Sequence, residues 1–227
     1  NLYSDSVVAL NPDTGELEWY FQFTPNDPYD YDSVQVPVLI DYPAQDGSML
    51  KLMLFGNRNG FFYILDRETG ELLRAHAYTD GITWATHVDM ETGRPVENPD
   101  VFYETDPQWI LPANSGAHNW EPQSWDNDMG LMYFYYHDIA NFYSLDETFV
   151  KTGVYEIRER GLSLGWGEGE YRRRLEAQAD PRPESKAFVG AFDPITGQYK
   201  WRHQLESVYN GGVLATTTGL LFQGEGT

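Results

Sequence analysis

Along this chain apolar residues come in short runs that stop abruptly at glycine, proline, asparagine or aspartate. The runs Ser6–Leu10, Val34–Ile40, Lys51–Phe55, Gly60–Leu65, Leu131–Tyr136 and Ala187–Phe192 read as β-strands. So does Gly212–Phe222, broken by a Thr-Gly turn. They are rich in β-branched and aromatic residues, and little of the chain follows a helical period, so the pattern predicts an all-β architecture.

The punctuation itself repeats. Ala9-Leu10-Asn11-Pro12-Asp13-Thr14-Gly15-Glu16-Leu17-Glu18-Trp19 recurs with the same spacing as Ala191-Phe192-Asp193-Pro194-Ile195-Thr196-Gly197-Gln198-Tyr199-Lys200-Trp201. A weaker copy runs from Ile64 to Arg74, with arginine in place of tryptophan. The segments Val88–Arg94 and Trp125–Leu131 keep only the turn. In each, Asn or Asp supplies a side-chain acceptor and glycine a positive φ, the chemistry of a tight hairpin. Radial repetition of four-stranded units is the expected arrangement: a partial β-propeller of about four blades, spread over residues 1–227 and interrupted by a loop insertion at about 141–182. Trp19 and Trp201 are then expected to wedge between neighbouring sheets, each contact stabilising by roughly 2–3 kcal/mol.

Composition narrows the partners. Fifteen Lys and Arg face 35 Asp and Glu, a net charge of −20, which disfavours nucleic acid because phosphate binding needs clustered cations. Arg172–Arg174 is the basic cluster, and Glu168, Glu170 and Glu176 around it favour a solvated local ion pair. No apolar run is long enough for a membrane-spanning helix. The chain has no cysteine, so disulfides, zinc–thiolate sites and covalently attached haem are excluded within it. Neither end carries a signal peptide or a capping element, and we expect a piece of a longer chain.

Candidate chemistry gathers after the first repeat. Thr24-Pro25-Asn26-Asp27-Pro28-Tyr29-Asp30-Tyr31-Asp32 concentrates carboxylates in a proline-interrupted loop, where a propeller delivers side chains to its axis. Taken alone, Asp30 and Asp32 could equally be turn-forming residues. In an extended segment, residues two apart project to one side, so both carboxylates could face a single hard cation.

Several stretches, in order, resemble the PQQ-dependent (quinoprotein) alcohol and methanol dehydrogenases, which are eight-bladed propellers. They are Thr24–Asp32, Val36–Ile40, Asn57-Arg58-Asn59-Gly60 with the following Phe61–Arg67, Thr92–Pro99, His118-Asn119-Trp120-Glu121-Pro122, and Gly211–Ala215 with Gly219–Gly224. The resemblance implies an oxidoreductase that passes hydride from a primary alcohol to PQQ, with Ca²⁺ or a lanthanide as Lewis acid. It implies a periplasmic setting and a cytochrome c acceptor. By position, Asp30 matches the family's catalytic base and a metal ligand, in a motif that usually reads Trp-Asp and here reads Tyr29-Asp30. Asp32 matches the additional acid of lanthanide-using members. Arg58 matches the cation near the quinone, Asn119 and Trp120 an Asn-Trp pair lining it, and Val213 lies on an inner strand close to the ring. His118 reads as structural. The family's remaining metal ligands are expected upstream, and a fused haem domain would lie beyond Thr227.

Two rivals share the repeats. One is a non-enzymatic PQQ-like scaffold of the cell envelope, which would lack an axial Asp, Arg and Asn set. The other is a PQQ-dependent sugar dehydrogenase, separable only through substrate loops such as 89–106 and 141–182. By itself the chain is expected to be weakly active or inactive, and to self-associate edge to edge or aggregate.

Overall fold

The structure is a computed structural model that describes residues 2–44, 46–154, 157–158, 161–162, 165–167 and 169–226. In chain order, β1 (Ser6–Leu10) and β2 (Leu17–Gln22) form a hairpin, and β3 (Val38–Pro43), β4 (Met49–Gly56), β5 (Phe61–Asp66) and β6 (Leu72–Ala77) form a four-stranded antiparallel sheet. A second hairpin joins β7 (Ala85–Val88) to β8 (Pro95–Glu97), and β9 (Gln108–Ile110) waits for a later partner. Next come β10 (Ser124–Asp126), β11 (Leu131–Asp138) and β12 (Asn141–Tyr143), the last pairing with β9. Helix α1 (Glu147–Thr152), the short pair β13 (Ile157–Arg158) and β14 (Gly161–Leu162), and helix α2 (Gly169–Glu176) follow. Finally β15 (Lys186–Asp193) and β16 (Gln198–Gln204) join β10 and β11 in a second four-stranded sheet, and β17 (Asn210–Ala215) and β18 (Leu221–Glu225) close a hairpin. The two four-stranded sheets and the first and last hairpins give four blade units, and among the described residues no sheet closes on itself.

All five repeated turns adopt one geometry. Oδ1 of Asn11, Asp66, Asp89, Asp126 and Asp193 accepts from two backbone N–H groups, two and three residues on. The glycine four residues on has a positive φ at every copy and returns its N–H to the first residue's carbonyl. Sequence repetition is therefore repetition of a hydrogen-bonded turn.

The central strands explain the stacking. On β4, Leu52 and Leu54 enter one apolar core while Met53 and Phe55 enter another. On β5, Phe62 and Ile64 take the first side and Phe61, Tyr63 and Leu65 the second. A period of two with both faces apolar requires a cover on each side of the sheet. The β11–β15 sheet supplies one cover through Met132, Phe134, Tyr136 and Phe192. The other comes from the first hairpin and the loops after it, with Phe23 stacked on Phe55 at 4.7 Å.

Three expectations change. The predicted strand Val34–Ile40 forms only from Val38, because Ser33–Pro37 belongs to the acidic loop, where Gln35 is buried against the His118 carbonyl. Among the described residues, the 141–182 region carries two helices and three short strands rather than a single helical turn; Asp146 caps α1 by accepting from Thr148 and Phe149 N–H. Trp19 packs on the next blade's turn, where a Cβ on Gly70 would lie 2.6 Å from its ring, but Trp201 stays 43% exposed beside Tyr133. At the weaker copy, His76 rather than Arg74 meets the following turn, at Gly197. In α2, Arg172 pairs with Glu176 at 2.7 Å and reaches Asn141 at 2.9 Å; Glu168 lies outside the described residues.

Candidate functional site

Asp27 shapes the acidic loop. Its two carboxylate oxygens accept the N–H groups of Tyr29, at 2.8 Å, and Tyr31, at 2.5 Å. Between those anchors Asp30 takes φ +68, a left-handed conformation that Asp tolerates better than most residues. The expected extended alternation of Asp30 and Asp32 is therefore absent. Tyr29 and Tyr31 are buried on Trp84 and Tyr143, and this aromatic bed fixes the loop from beneath.

Arg58 closes the loop from the neighbouring turn. Asn57 and Asn59 are fully buried. Asn57 donates to Ser33 Oγ at 2.6 Å, and Asn59 donates to Thr24 Oγ1 and Tyr63 Oη. With the asparagines committed to the protein, the arginine between them faces the loop. Its Nη1 lies 3.3 Å from both Asp32 Oδ2 and the Asp30 carbonyl, and its Nε donates to the Ser115 carbonyl at 3.4 Å. Nη2 has no protein partner among the described residues. That same Ser115 carbonyl accepts from Asn119 Nδ2 at 2.8 Å, and Asn119 Oδ1 accepts from Trp120 N–H. Asp30, Asp32, Arg58 and Asn119 thus form one connected set.

The set faces two cavities. Asp30 and Asp32 line one of about 410 Å³ with Asp5, Asp27, Glu104, Tyr103 and Trp166. Asn119 and Trp120 line another of about 640 Å³ with Glu121, His137 and Tyr209. Trp120 presents its indole with 67% exposure, unlike a core tryptophan. Val213 is not brought to either: it is buried in β17, its N–H donated to the Pro122 carbonyl, and Gly211 lines the second cavity instead. The small residues of that strand allow close approach to Pro122, 2.4 Å from where a Gly212 Cβ would stand. His118 is buried and bonded to the Tyr135 carbonyl, in keeping with a structural residue.

Burial governs the titration of this region. It raises Asp30, with Asp32 adding repulsion while Arg58 and an Asn114 hydrogen bond oppose both. Asp5 is pushed up to about 7 and Asp27 to about 6, burial outweighing their hydrogen bonds. Glu121 is raised by burial and its Oε2 has no partner among the described residues. Asp5, Asp27, Asn114 and Glu121 escaped sequence reasoning. The Asn114-Ser115-Gly116 run before His118, a turn signal, was the available clue.

The donor chemistry suits a planar anionic quinone: a guanidinium, an amide and an open indole face. The carboxylates suit a hard cation, but among the described residues no three His, Cys, Asp or Glu side chains converge to hold a metal ion unaided.

Residues 1–75 match the family model described as the glucose/ethanol/alcohol dehydrogenase β-propeller domain, named for PQQ. The whole chain is 36% identical to quinoprotein alcohol dehydrogenase PedE of Pseudomonas putida KT2440, of which it covers 35%. Among solved structures, quinohemoprotein alcohol dehydrogenase from Comamonas testosteroni superimposes over 98% of this chain and 32% of its own, with TM-score 0.84 and 30% identity. A europium-containing methanol dehydrogenase covers 97% of this chain and 36% of its own, with TM-score 0.77 and 25% identity. The chain spans about a third of the length of the relatives it matches.

Proposed function

We propose that this chain, a relative of the quinoprotein alcohol dehydrogenases along its length, forms the base and charge-stabilising side of a PQQ site that oxidises a primary alcohol. One observation carries the reading: Arg58 joins the Asp30–Asp32 loop to Asn119 through a single guanidinium and the Ser115 carbonyl. A scaffold propeller has no need of that constellation at its hub.

Bound PQQ, with a hard cation beside it, would supply the two-electron acceptor and Lewis acidity. Asp30 accepts the alcohol's hydroxyl proton, and its raised pKa brings it closer to the operating range of a general base. Arg58 supplies fixed positive charge where the cofactor's oxygen gains electron density, without reorganising water. Asn119 orients a polar edge and Trp120 an apolar face. Asp30 and Asp32 offer hard oxygens to Ca²⁺ or a lanthanide, the second carboxylate favouring the trivalent ion. The europium-containing relative supports a lanthanide, and a relative described as 1-butanol dehydrogenase (cytochrome c) supports electron delivery to a cytochrome c. Tyr103, Glu104 and Trp166, from loops 89–106 and 141–182, wall the Asp30 cavity, where we place the alcohol. The resemblance to the quinoprotein dehydrogenases also implies a periplasmic location, which belongs to the same proposal.

The test is reconstitution of the full-length protein with PQQ and either Ca²⁺ or La³⁺. Alcohol-dependent bleaching of the quinone band with dye reduction is expected; no spectral change on adding PQQ and metal would favour the scaffold.

A further inference from the structure

Loop 112–116 meets Asp30, Arg58 and Asn119 without belonging to the candidate set. Tyr31 Oη, fully buried, donates to the Pro112 carbonyl at 2.7 Å, tying the start of the loop to the residue after Asp30. The Asn114 side chain lies close enough to the Asp30 carboxylate to oppose its upward shift. The Ser115 carbonyl receives both Arg58 Nε and Asn119 Nδ2. Gly116, at φ +78, lies against the arginine stem: a Cβ there would stand 2.5 Å from Arg58 Cγ and 2.8 Å from its Cα, a backbone atom unable to swing aside.

The loop is itself tightly held. Ala113 N–H donates to the Ile139 carbonyl at 2.7 Å, Gly116 N–H to Ala113 at 2.8 Å, and Ala117 N–H to the Arg58 carbonyl at 2.9 Å. Ser115 Oγ reaches His137 Nε2 at 3.3 Å.

We propose that Asn114, Ser115 and Gly116 are the positioning residues of this site: one short backbone segment sets Asp30, Arg58 and Asn119 relative to one another. The proposal rests on the assignment of those three residues to the site. Catalytic groups must be held within about half an ångström of their working places, and a shared support accomplishes this for three side chains from separate strands and loops.

Double-mutant cycles in the full-length protein test it. PQQ affinity is read by titrating apoprotein with PQQ at fixed Ca²⁺ and following tryptophan quenching. Gly116→Ala should weaken binding about tenfold, by moving the arginine, and should add nothing in an Arg58→Ala background. Additive losses would overturn the proposal. Should Gly116→Ala not fold, Asn114→Ala carries the test: it should lower kcat with KM held, Asn114→Ser should restore part of the loss, and it should cost nothing further in Asp30→Asn. Additivity there also overturns it. If Arg58→Ala leaves PQQ affinity unchanged, the functional assignment of Arg58 fails. The loop is then judged by the crystal structure of apo Asn114→Ala: a displaced Asp30 carboxylate supports positioning and an unmoved one refutes it.

Discussion

Arg58 and Asp32 form an ion pair, Nη1 to Oδ2 at 3.3 Å, in which the arginine side chain is largely covered and the aspartate is two-thirds exposed. The pair holds Asp32 on the Asp30 side of the loop although the backbone between them does not alternate. An exposed partner makes such a bond weak in itself, so its value lies in placement.

Asp32→Ala should therefore discriminate between metals. In the full-length protein, terbium luminescence titration should show a larger loss of affinity for the trivalent ion than competition shows for Ca²⁺, because removing a hard anionic oxygen costs a higher charge more. Equal losses for both ions would make Asp32 a turn residue.

The two tryptophans of the repeat should not be equivalent. Trp19 lies across Gly70 of the adjoining blade and packs on the core, whereas Trp201 remains 43% exposed. Trp19→Ala should destabilise this chain by about 2–3 kcal/mol, and Trp201→Ala by clearly less, in urea unfolding. Similar losses would mean that Trp201 is covered as deeply as Trp19.

Asp5 should make stability depend on pH in an unusual direction. Its folded pKa of about 7 lies above the ordinary 3.8, so the folded state binds the extra proton. That contribution is complete below about pH 4 and is lost as pH rises toward 7. Buried His118 and His137, both lowered to about 4, act oppositely, losing stability as pH falls from 6.5 toward 4. Asp5→Asn should consequently raise the melting temperature at pH 8 relative to the parent while leaving pH 4 nearly unchanged. An equal effect at both values would show that Asp5 does not titrate in this window.

The outer hairpins bear on handling. Val8, Leu10, Leu17 and Tyr20 on the first, and Leu214 and Phe222 on the last, are exposed apolar residues. Made alone, the 227-residue chain should self-associate, seen as concentration-dependent mass in light scattering. A monomeric mass across the micromolar range would refute this.

The parts of the fold most legible in the sequence were those set locally. Asn11, Asp66, Asp89, Asp126 and Asp193 each hold their own turn within a few residues, so spacing alone reveals them. The strands of β4 and β5 were legible because both faces are apolar. What stayed hidden was set at a distance. Whether Trp201 is covered depends on the β17–β18 hairpin, and the left-handed Asp30 depends on the Asp27 carboxylate catching two N–H groups. Asn114 and Ser115 act through a side-chain amide and a carbonyl that carry no motif. Val213 lies buried in β17 with its backbone bonded to Pro122 and Ser124, contacts that its sequence does not reveal.

The central claim is that Asp30, half-buried beside Arg58, takes the alcohol's proton. Its most direct test is Asp30→Asn in the full-length protein loaded with PQQ and metal, with PQQ retention verified by absorbance and turnover followed by alcohol-dependent dye reduction. A fall in kcat of about 10²–10⁴-fold with cofactor retained is the expected result. Undiminished turnover with bound PQQ would contradict it.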